Sequence, residues 1–255
     1  MSDVCDIRKL LSDWPYDPKN DARIVRGSDG REILQVRTPL GLEQVEMEGR
    51  PDGARPHAMD TALEFFQQKL AQARTAGTGS TFELTELDCA ELFNEGTLFY
   101  FRYLRLFQLN RWADTMRDTS RNLRLFDFVR QYAERVDDRD YLEKWRPYLL
   151  RVNIAASAFY LLEHNDASKA LKLVQSGLEQ IASLEVMDHE IFRFERDRSL
   201  SSLRELESEI QQKQPISPVE LLQRQLQRAI ARQEFERAAK LRDQIRDLRA
   251  QQNIP

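Results

Sequence analysis

Apolar residues recur every third or fourth position through most of this chain, but they alternate with polar residues in two short segments, Leu34–Val36 and Val45–Met47. A spacing of three to four places apolar side chains on one face of a helix, whereas a spacing of two places them on one face of a strand. The change of period therefore limits the strands to one N-terminal region. We predict an α+β fold, mostly α, in which a three-stranded antiparallel meander packs on a helical bundle.

Turn residues separate the three predicted strands. Ser28-Asp29-Gly30 is typical of a hairpin turn, and Thr38-Pro39-Leu40-Gly41 predicts a second one. Leu34 and Val36 would face a core, while Arg37 would lie on the solvent face and pair with glutamate across the strands. A sheet of this size is marginal alone, so we expect it to pack on the helices that follow.

Two further segments flank the sheet. Asp6–Trp14 predicts a short helix that ends before Pro15. Gly49-Arg50-Pro51-Asp52-Gly53 follows the last strand and predicts a compact turn with an exposed cation and carboxylate. A structural exit turn and a binding loop both fit this composition.

Helical spacing dominates the middle of the chain. Thr85-x-x-Asp88 predicts a helix start, and Pro147 predicts either a kink or the true start of a later helix. The density of aromatic residues after Cys89 indicates a helix buried between neighbours. The predicted helices are Met59–Ala73, Cys89–Leu109, Trp112–Val136, Tyr141–Glu163 and Ala167–Leu184.

Small residues mark one helix pair. Ala158, Ala170 and Gly177 would let two helices cross closely, with Asn165-Asp166 at the turn between them. This pattern is similar to a tetratricopeptide helix pair, although the corresponding alanines of the chain do not recur at the regular ~34-residue period of such arrays. A peptide-binding groove and a plain helical bundle are both compatible with it. We predict three domains: residues 1–55 (helix and meander), 56–211 (tetratricopeptide-like bundle) and 212–255 (helical hairpin).

The C-terminal stretch from Ser217 predicts two helices. Ser217, Pro218 and Glu220 form a capping-box start, and apolar residues then recur at helical spacing to Ile230. A second apolar stripe begins at Phe235, out of phase with the first. A continuous helix is possible, but the phase slip favours a tight antiparallel hairpin.

The residues Phe235-Glu236-Arg237-Ala238-Ala239-Lys240-Leu241-Arg242-Asp243-Gln244-Ile245 resemble the UVR motif of excinuclease subunits B and C, which also occurs in Clp-type unfoldase C and in the McsA adaptor. The resemblance covers about 35 of 255 residues and implies protein–protein docking, to a partner or to a second copy of the chain. The side chains that it implies in partner binding are Leu222, Leu226, Phe235, Glu236, Ala238, Ala239, Leu241, Arg242, Asp243 and Ile245.

A row of arginines supports an alternative function. Arg224, Arg228 and Arg232 stand four residues apart on one helical face of a segment that is net positive, although the whole chain carries a net charge of −4. Such a stripe could contact phosphates in an accessory protein of excision repair. More often such a row is simply the solvated face of a helix, partly paired with neighbouring acids.

Motifs for catalysis and metal binding are missing from the sequence. The three histidines are scattered, the two cysteines are isolated, and no Gly-x-x-x-x-Gly-Lys phosphate loop or Gly-x-Ser-x-Gly nucleophile turn occurs. The absence of cysteine pairs separates the chain from the cysteine-rich kinase adaptor. We therefore predict a non-enzymatic protein without metal or cofactor.

No apolar run approaches the ~20 residues of a membrane span, so we expect a cytoplasmic protein that does not contact membranes. The leading hypothesis is a protein-interaction adaptor, and the alternative is the nucleic-acid-associated protein. A third possibility is an enzyme or a small-molecule binder that uses a pocket between the meander and the helices. Convergent carboxylates would favour that site, whereas a filled apolar junction would argue against it.

Overall fold

The structure is a computed structural model that describes residues 6–213, 222, 225–227, 230 and 234–252. The chain divides into two compact units, Met1–Glu207 and Ser208–Pro255. The first unit contains the sheet and most of the helices. The second contains the C-terminal motif.

The sheet of the first unit is the predicted antiparallel meander. Its strands are β1 (Ala22–Arg26), β2 (Glu32–Thr38) and β3 (Gly41–Glu46), in the order β1-β2-β3. The register pairs Leu34 of β2 with Ile24 on one side and with Val45 on the other, so these three side chains share one face of the sheet. Alternation and turn chemistry thus predicted both the strands and their order.

The helices are α1 (Arg8–Asp13), α2 (Ala62–Thr75), α3 (Glu86–Gln108), α4 (Trp112–Tyr132), α5 (Val136–Glu143), α6 (Arg146–Glu163), α7 (Ala167–Ala182), α8 (Glu190–Lys213) and α9 (Phe235–Gln252). Short 3-10 turns lie at Pro56–Ala58 and Gly79–Thr81. The fold is mostly helical with one small sheet, as predicted.

Two predicted helix boundaries in the middle of the chain were wrong. The helix expected to reach Val136 ends at Tyr132, because the backbone becomes extended at Ala133 and forms a parallel bridge with Leu84. The helix expected to start at Tyr141 is two helices, and Pro147 lies in the first turn of the second one. Proline favours that position because its missing N–H has no partner there anyway.

The start of α3 follows the predicted capping chemistry. The Thr85 hydroxyl accepts a hydrogen bond from the Asp88 amide, and the Asp88 carboxylate accepts one from the Thr85 amide at 2.9 Å. Each side chain satisfies an amide that would otherwise lack a partner at the helix start. This reciprocal pair fixes where the central helix begins.

The junction between the sheet and the helices is filled by apolar side chains. Leu34, Val36 and Met47 form a buried cluster with Leu106 of α3. This arrangement confirms that the meander packs on the bundle. It also argues against the third possibility, a pocket at this junction, because packed side chains occupy it.

Arg37 corrects the predicted solvent face of the sheet. It is buried, and its guanidinium donates hydrogen bonds to the carbonyl oxygens of Trp14 at 2.9 Å and Gly41 at 2.8 Å, as well as to that of Thr38. The short N-terminal segment covers this face of the sheet, so Arg37 bonds to carbonyls rather than to glutamate. The alternating pattern could not distinguish a covered arginine from an exposed one.

Close contact between α6 and α7 has the predicted cause. Ala158, Ala170 and Gly177 are buried, and a Cβ added at Gly177 would lie 2.5 Å from Ile154 Cδ1. Small side chains therefore let the two helices approach. The likeness to tetratricopeptide helices stays a prediction.

Candidate functional site

The C-terminal motif has a small apolar core. Leu241 and Ile245 of α9 are each 7% exposed, and the partly buried Leu222 and Leu226 pack against Leu241. Leu222 and Leu226 are four residues apart, and so are Leu241 and Ile245. This spacing aligns side chains on one face of a helix. Five of the ten predicted partner-binding residues, these four and Asp243, are thus at least partly buried, and Leu222, Leu226 and Leu241 form the internal contact.

Another face of α9 carries exposed members of the predicted set. Phe235 is 71% exposed, and Glu236, Ala239 and Arg242 are exposed as well. Phe235, Ala239 and Arg242 follow each other at intervals of four and three, so they share a helical face. A large aromatic side chain therefore stands next to a small residue and a cation on the surface of the helix.

Ion pairs along α9 involve its arginines. Arg237 lies 3.1 Å from Glu234, and both Arg242 and Arg246 lie within 3.5 Å of Asp243. Such surface pairs contribute about 0–1 kcal/mol each. Asp243 is intermediate in exposure and organises two neighbouring cations of this helix.

Part of the predicted site lies outside the described residues. This holds for Arg224, Arg228 and Arg232, for the turn expected near residues 231–233, and for the Ala238 side chain. The predicted phosphate-contacting stripe and the predicted hairpin turn therefore stay predictions.

Sequence reasoning missed a network of buried charges in the first unit. Arg102 of α3 and Asp118 of α4 are each 1% exposed in their side chains and form a two-point ion pair, with N–O distances of 2.6 and 2.8 Å. Arg102 Nη1 also donates to the carbonyl oxygens of Glu46 at 2.8 Å and Gly49 at 3.0 Å. One guanidinium thus joins two helices to the end of β3.

Glu95 is the second centre of this network. Its carboxylate accepts hydrogen bonds from the amides of Ala62 at 2.7 Å and Leu63 at 3.1 Å, at the start of α2. It also pairs with Arg121, whose pKa is lowered by burial. A carboxylate at a helix N-terminus is favourable because the free amides and the helix dipole are both positive there.

The turn after β3 belongs to the same network. Arg50 was expected to be exposed, but its side chain is 15% exposed and lies 3.6 Å from Glu95. The Gly49 carbonyl is held by Arg102. These contacts favour the structural exit turn over the binding loop. The one available sequence signal was the interleaving of Arg102 with aromatic residues in a helix predicted to be buried.

Cys89 and the histidines form no reactive centre in the part of the chain that the structure describes. Burial raises the pKa of the Cys89 thiol to about 12, so it stays protonated at neutral pH. His57 stacks on Phe65 at 3.9 Å between ring centroids and lies 3.1 Å from Glu91. No group of three His, Cys, Asp or Glu residues there could hold a metal ion. Among the same residues, no helix is both long and apolar enough to cross a membrane.

Comparisons with known proteins identify the C-terminal region alone. A family model described as the UvrB/uvrC motif, UVR, matches residues 217–251. Neither the curated proteins nor the solved structures give a match to the chain. The matched range contains all ten residues of the predicted docking set and most of α9. The C-terminal segment of this chain therefore carries a UVR motif.

Proposed function

We propose that this chain is a non-catalytic adaptor that docks a protein partner, or a second copy of itself, through the outward face of its UVR motif. The motif occurs in excision-repair proteins and mediates protein interactions. Its presence supports a docking function for this chain. The helical first unit would then be the body that is brought to the partner.

The exposure of Phe235 is the observation that carries this proposal. A phenylalanine side chain that is 71% exposed leaves apolar area in water, and burying a side chain of this size contributes about 1.5–3 kcal/mol. Aromatic anchors of this kind dominate the energy of many protein interfaces. Phe235 is therefore the residue that we expect to enter a pocket of the partner.

The docking set divides into two roles. Phe235, Glu236, Ala239 and Arg242 form the outward face, which would contact the partner. Leu241, with Leu222 and Leu226, holds the motif together from within. Substitution of an inward residue would disturb the motif itself, so only the outward residues give a clean test of docking.

The test compares Phe235→Ser with Phe194→Ser in the full-length chain. Both phenylalanines are exposed, at 71% and 62%, but Phe194 lies on α8 outside the motif. Each variant is used as bait for cross-linked affinity capture, and its mass is measured over a dilution series. We expect Phe235→Ser to lose the captured partner or the dimer, and Phe194→Ser to retain it.

Unchanged capture and unchanged mass for Phe235→Ser would refute docking through this face. Equal losses in both variants would assign the effect to general surface hydrophobicity instead. The circular dichroism spectrum of each variant checks that the helices are retained.

A further inference from the structure

The first unit contains a cavity of about 380 Å³, which lies between α3, α4 and the parts of α5, α6 and α8 that face them. Ligand pockets in proteins commonly measure about 300–1,000 Å³. Aromatic rings make up much of the wall, and the Tyr100 ring is nearly perpendicular to that of Tyr103, at 89° and 5.6 Å between centroids. Rings at different angles offer both faces and edges, so the cavity suits a small aromatic ligand.

Tyr103 places a buried phenol in this wall. The residue is 3% exposed, and its hydroxyl forms no hydrogen bond with any residue that the structure describes. The described side-chain atoms that are both fully enclosed and without a hydrogen-bond partner are Arg121 Nε, Asp138 Oδ2, Arg151 Nε and Glu195 Oε2. The Tyr103 oxygen is not one of these, so it keeps a small accessible surface. Because Tyr103 lines the cavity and is otherwise covered, we assign this surface to the cavity.

Other buried or polar side chains of the wall already have partners. The Asn122 amide nitrogen donates to the Gly96 carbonyl at 2.9 Å, and the Thr97 hydroxyl donates to the Phe93 carbonyl at 2.9 Å. Both groups are thus held within the helices. The Tyr103 hydroxyl has no such partner, which leaves it for a ligand.

The Tyr103 phenol is a neutral donor. Burial raises its pKa and also that of Tyr148, in the second case to about 12, so both groups keep their protons at neutral pH. A neutral phenol can donate one hydrogen bond to an acceptor such as a carbonyl oxygen. A buried donor without an acceptor is costly, so a ligand that brings an acceptor would relieve this cost.

The charges of the wall do not favour an ionic ligand. Its charged residues are Glu195 and Arg198, whose side chains lie 3.6 Å apart and balance each other. An ion that entered among the aromatic rings would lose its hydration and find no free counter-charge there, which is unfavourable. The ligand should therefore be uncharged.

We propose that this cavity binds a small, uncharged aromatic molecule with a carbonyl group, whose oxygen accepts a hydrogen bond from the Tyr103 hydroxyl. The ring of the ligand would lie against Tyr100 and Tyr148, whose own rings are 6.1 Å apart. The site uses no residue of the UVR motif. It is therefore independent of the docking function proposed above.

Titration of the full-length chain with acetophenone and with α-methylstyrene, followed by NMR, tests the proposal. The two molecules have nearly the same shape, but α-methylstyrene carries a CH₂ group in place of the carbonyl oxygen. Each is titrated into the unsubstituted chain and into Tyr103→Phe, because this comparison cancels the different hydrophobicity of the two molecules. We expect Tyr103→Phe to weaken acetophenone binding about fivefold, the ratio for one neutral hydrogen bond, and not to weaken α-methylstyrene binding.

Three controls accompany this comparison. Tyr160→Phe removes a hydroxyl of α6 that lies outside the cavity wall, and should leave both affinities unchanged. The thermal midpoint of Tyr103→Phe should stay unchanged or rise, because the hydroxyl that it removes has no partner in the protein. Benzoate, which is charged at neutral pH, should bind more weakly than acetophenone.

Four outcomes would overturn the proposal. They are no binding of acetophenone at about 1 mM, which corresponds to very weak affinity, an equal loss of both molecules in Tyr103→Phe, tighter binding of benzoate, and a lower thermal midpoint of Tyr103→Phe. The last result would mean that the hydroxyl already has a partner in the folded chain. A loss confined to acetophenone and to Tyr103→Phe would support the proposal.

Discussion

The helical body and the UVR motif use charged residues in opposite ways. In the body, Arg102 and Asp118 are almost fully buried and hold each other in a two-point ion pair. In the motif, Arg242 and Asp243 pair at the surface, where Arg242 is 71% exposed. Buried charges demand fixed partners, whereas exposed pairs contribute little to stability. The body is therefore tied together by specific contacts, while the motif is held by a few leucines.

For aromatic residues the contrast concerns only the apolar core of the body, since Phe194 of α8 is itself 62% exposed. In the body, Tyr103 and Phe126 are buried in the main apolar cluster, whereas Phe235 of the motif is exposed. An exposed aromatic side chain adds little to the stability of its own region, because its apolar area stays in water.

Removing one member of the buried ion pair should have the largest effect. Asp118→Ala leaves Arg102 buried without its carboxylate, and such a change costs about 3–5 kcal/mol. Urea unfolding followed by circular dichroism measures the loss. The control is Asp60→Ala, which breaks the exposed pair with Arg55 and should leave the midpoint unchanged. A loss below about 1 kcal/mol in Asp118→Ala would mean that the buried pair does not distinguish the body.

Truncation of the main leucine of the motif should have a smaller and local effect. Leu241→Ala removes a buried side chain from a small core and should cost about 2 kcal/mol, the lower end of the range for leucine. Hydrogen exchange should then speed up in α9 and stay unchanged in α4. Phe235→Ala is the matched control, because its exposed side chain supports no core, and exchange in α9 should remain slow. Faster exchange in α4 as well would show that the two regions unfold together.

A pair of glycine substitutions tests close packing within the body. Gly177→Ala would bring a Cβ to 2.5 Å from Ile154 Cδ1, so we expect a loss of about 1–3 kcal/mol from overpacking. At Gly96, the nearest side-chain atoms to an added Cβ are Leu125 methyls at 3.7 and 3.9 Å. Gly96→Ala should be neutral or stabilise by up to about 1 kcal/mol. Thermal unfolding of both variants measures the difference, and equal midpoints would contradict it.

The smallest expected effect is that of Cys89 protonation on the stability of the fold. Because burial raises its pKa from 9.0 to about 12, the native thiol keeps its proton above pH 9, where the unfolded chain begins to lose it. Its contribution to stability is complete below pH 9 and is lost as pH rises from about 9 towards 12. In a Cys5→Ser variant, iodoacetamide should not alkylate Cys89 at pH 8 without urea. Rapid alkylation of the native chain would contradict this burial.

The sequence predicted those features of the fold that depend on residues close together in the chain. Alternation and turn residues gave the meander, Thr85 and Asp88 gave the start of α3, and small residues gave the contact between α6 and α7. The end of α4 was missed because it depends on pairing between Ala133 and the distant Leu84. Such pairing leaves no periodic signal along the chain.

The candidate docking site was predicted as a set of residues but not as two faces. Apolar spacing placed Phe235 and Leu241 in one stripe, whereas the structure exposes the first and buries the second. The Glu95 and Arg102 contacts were not predictable either, since each joins segments more than 15 residues apart. The sequence does not distinguish a charged side chain that folding buries from one that stays in water.

The three contacts of Arg102 affect how the body unfolds. Its guanidinium binds Asp118 of α4 and the carbonyls of Glu46 and Gly49 at the exit from the sheet. If the meander separated from the helices, this cation would lose two acceptors while still enclosed, which is unfavourable. The meander and the bundle should therefore melt in one cooperative transition, although the sheet supplies only a small part of the chain.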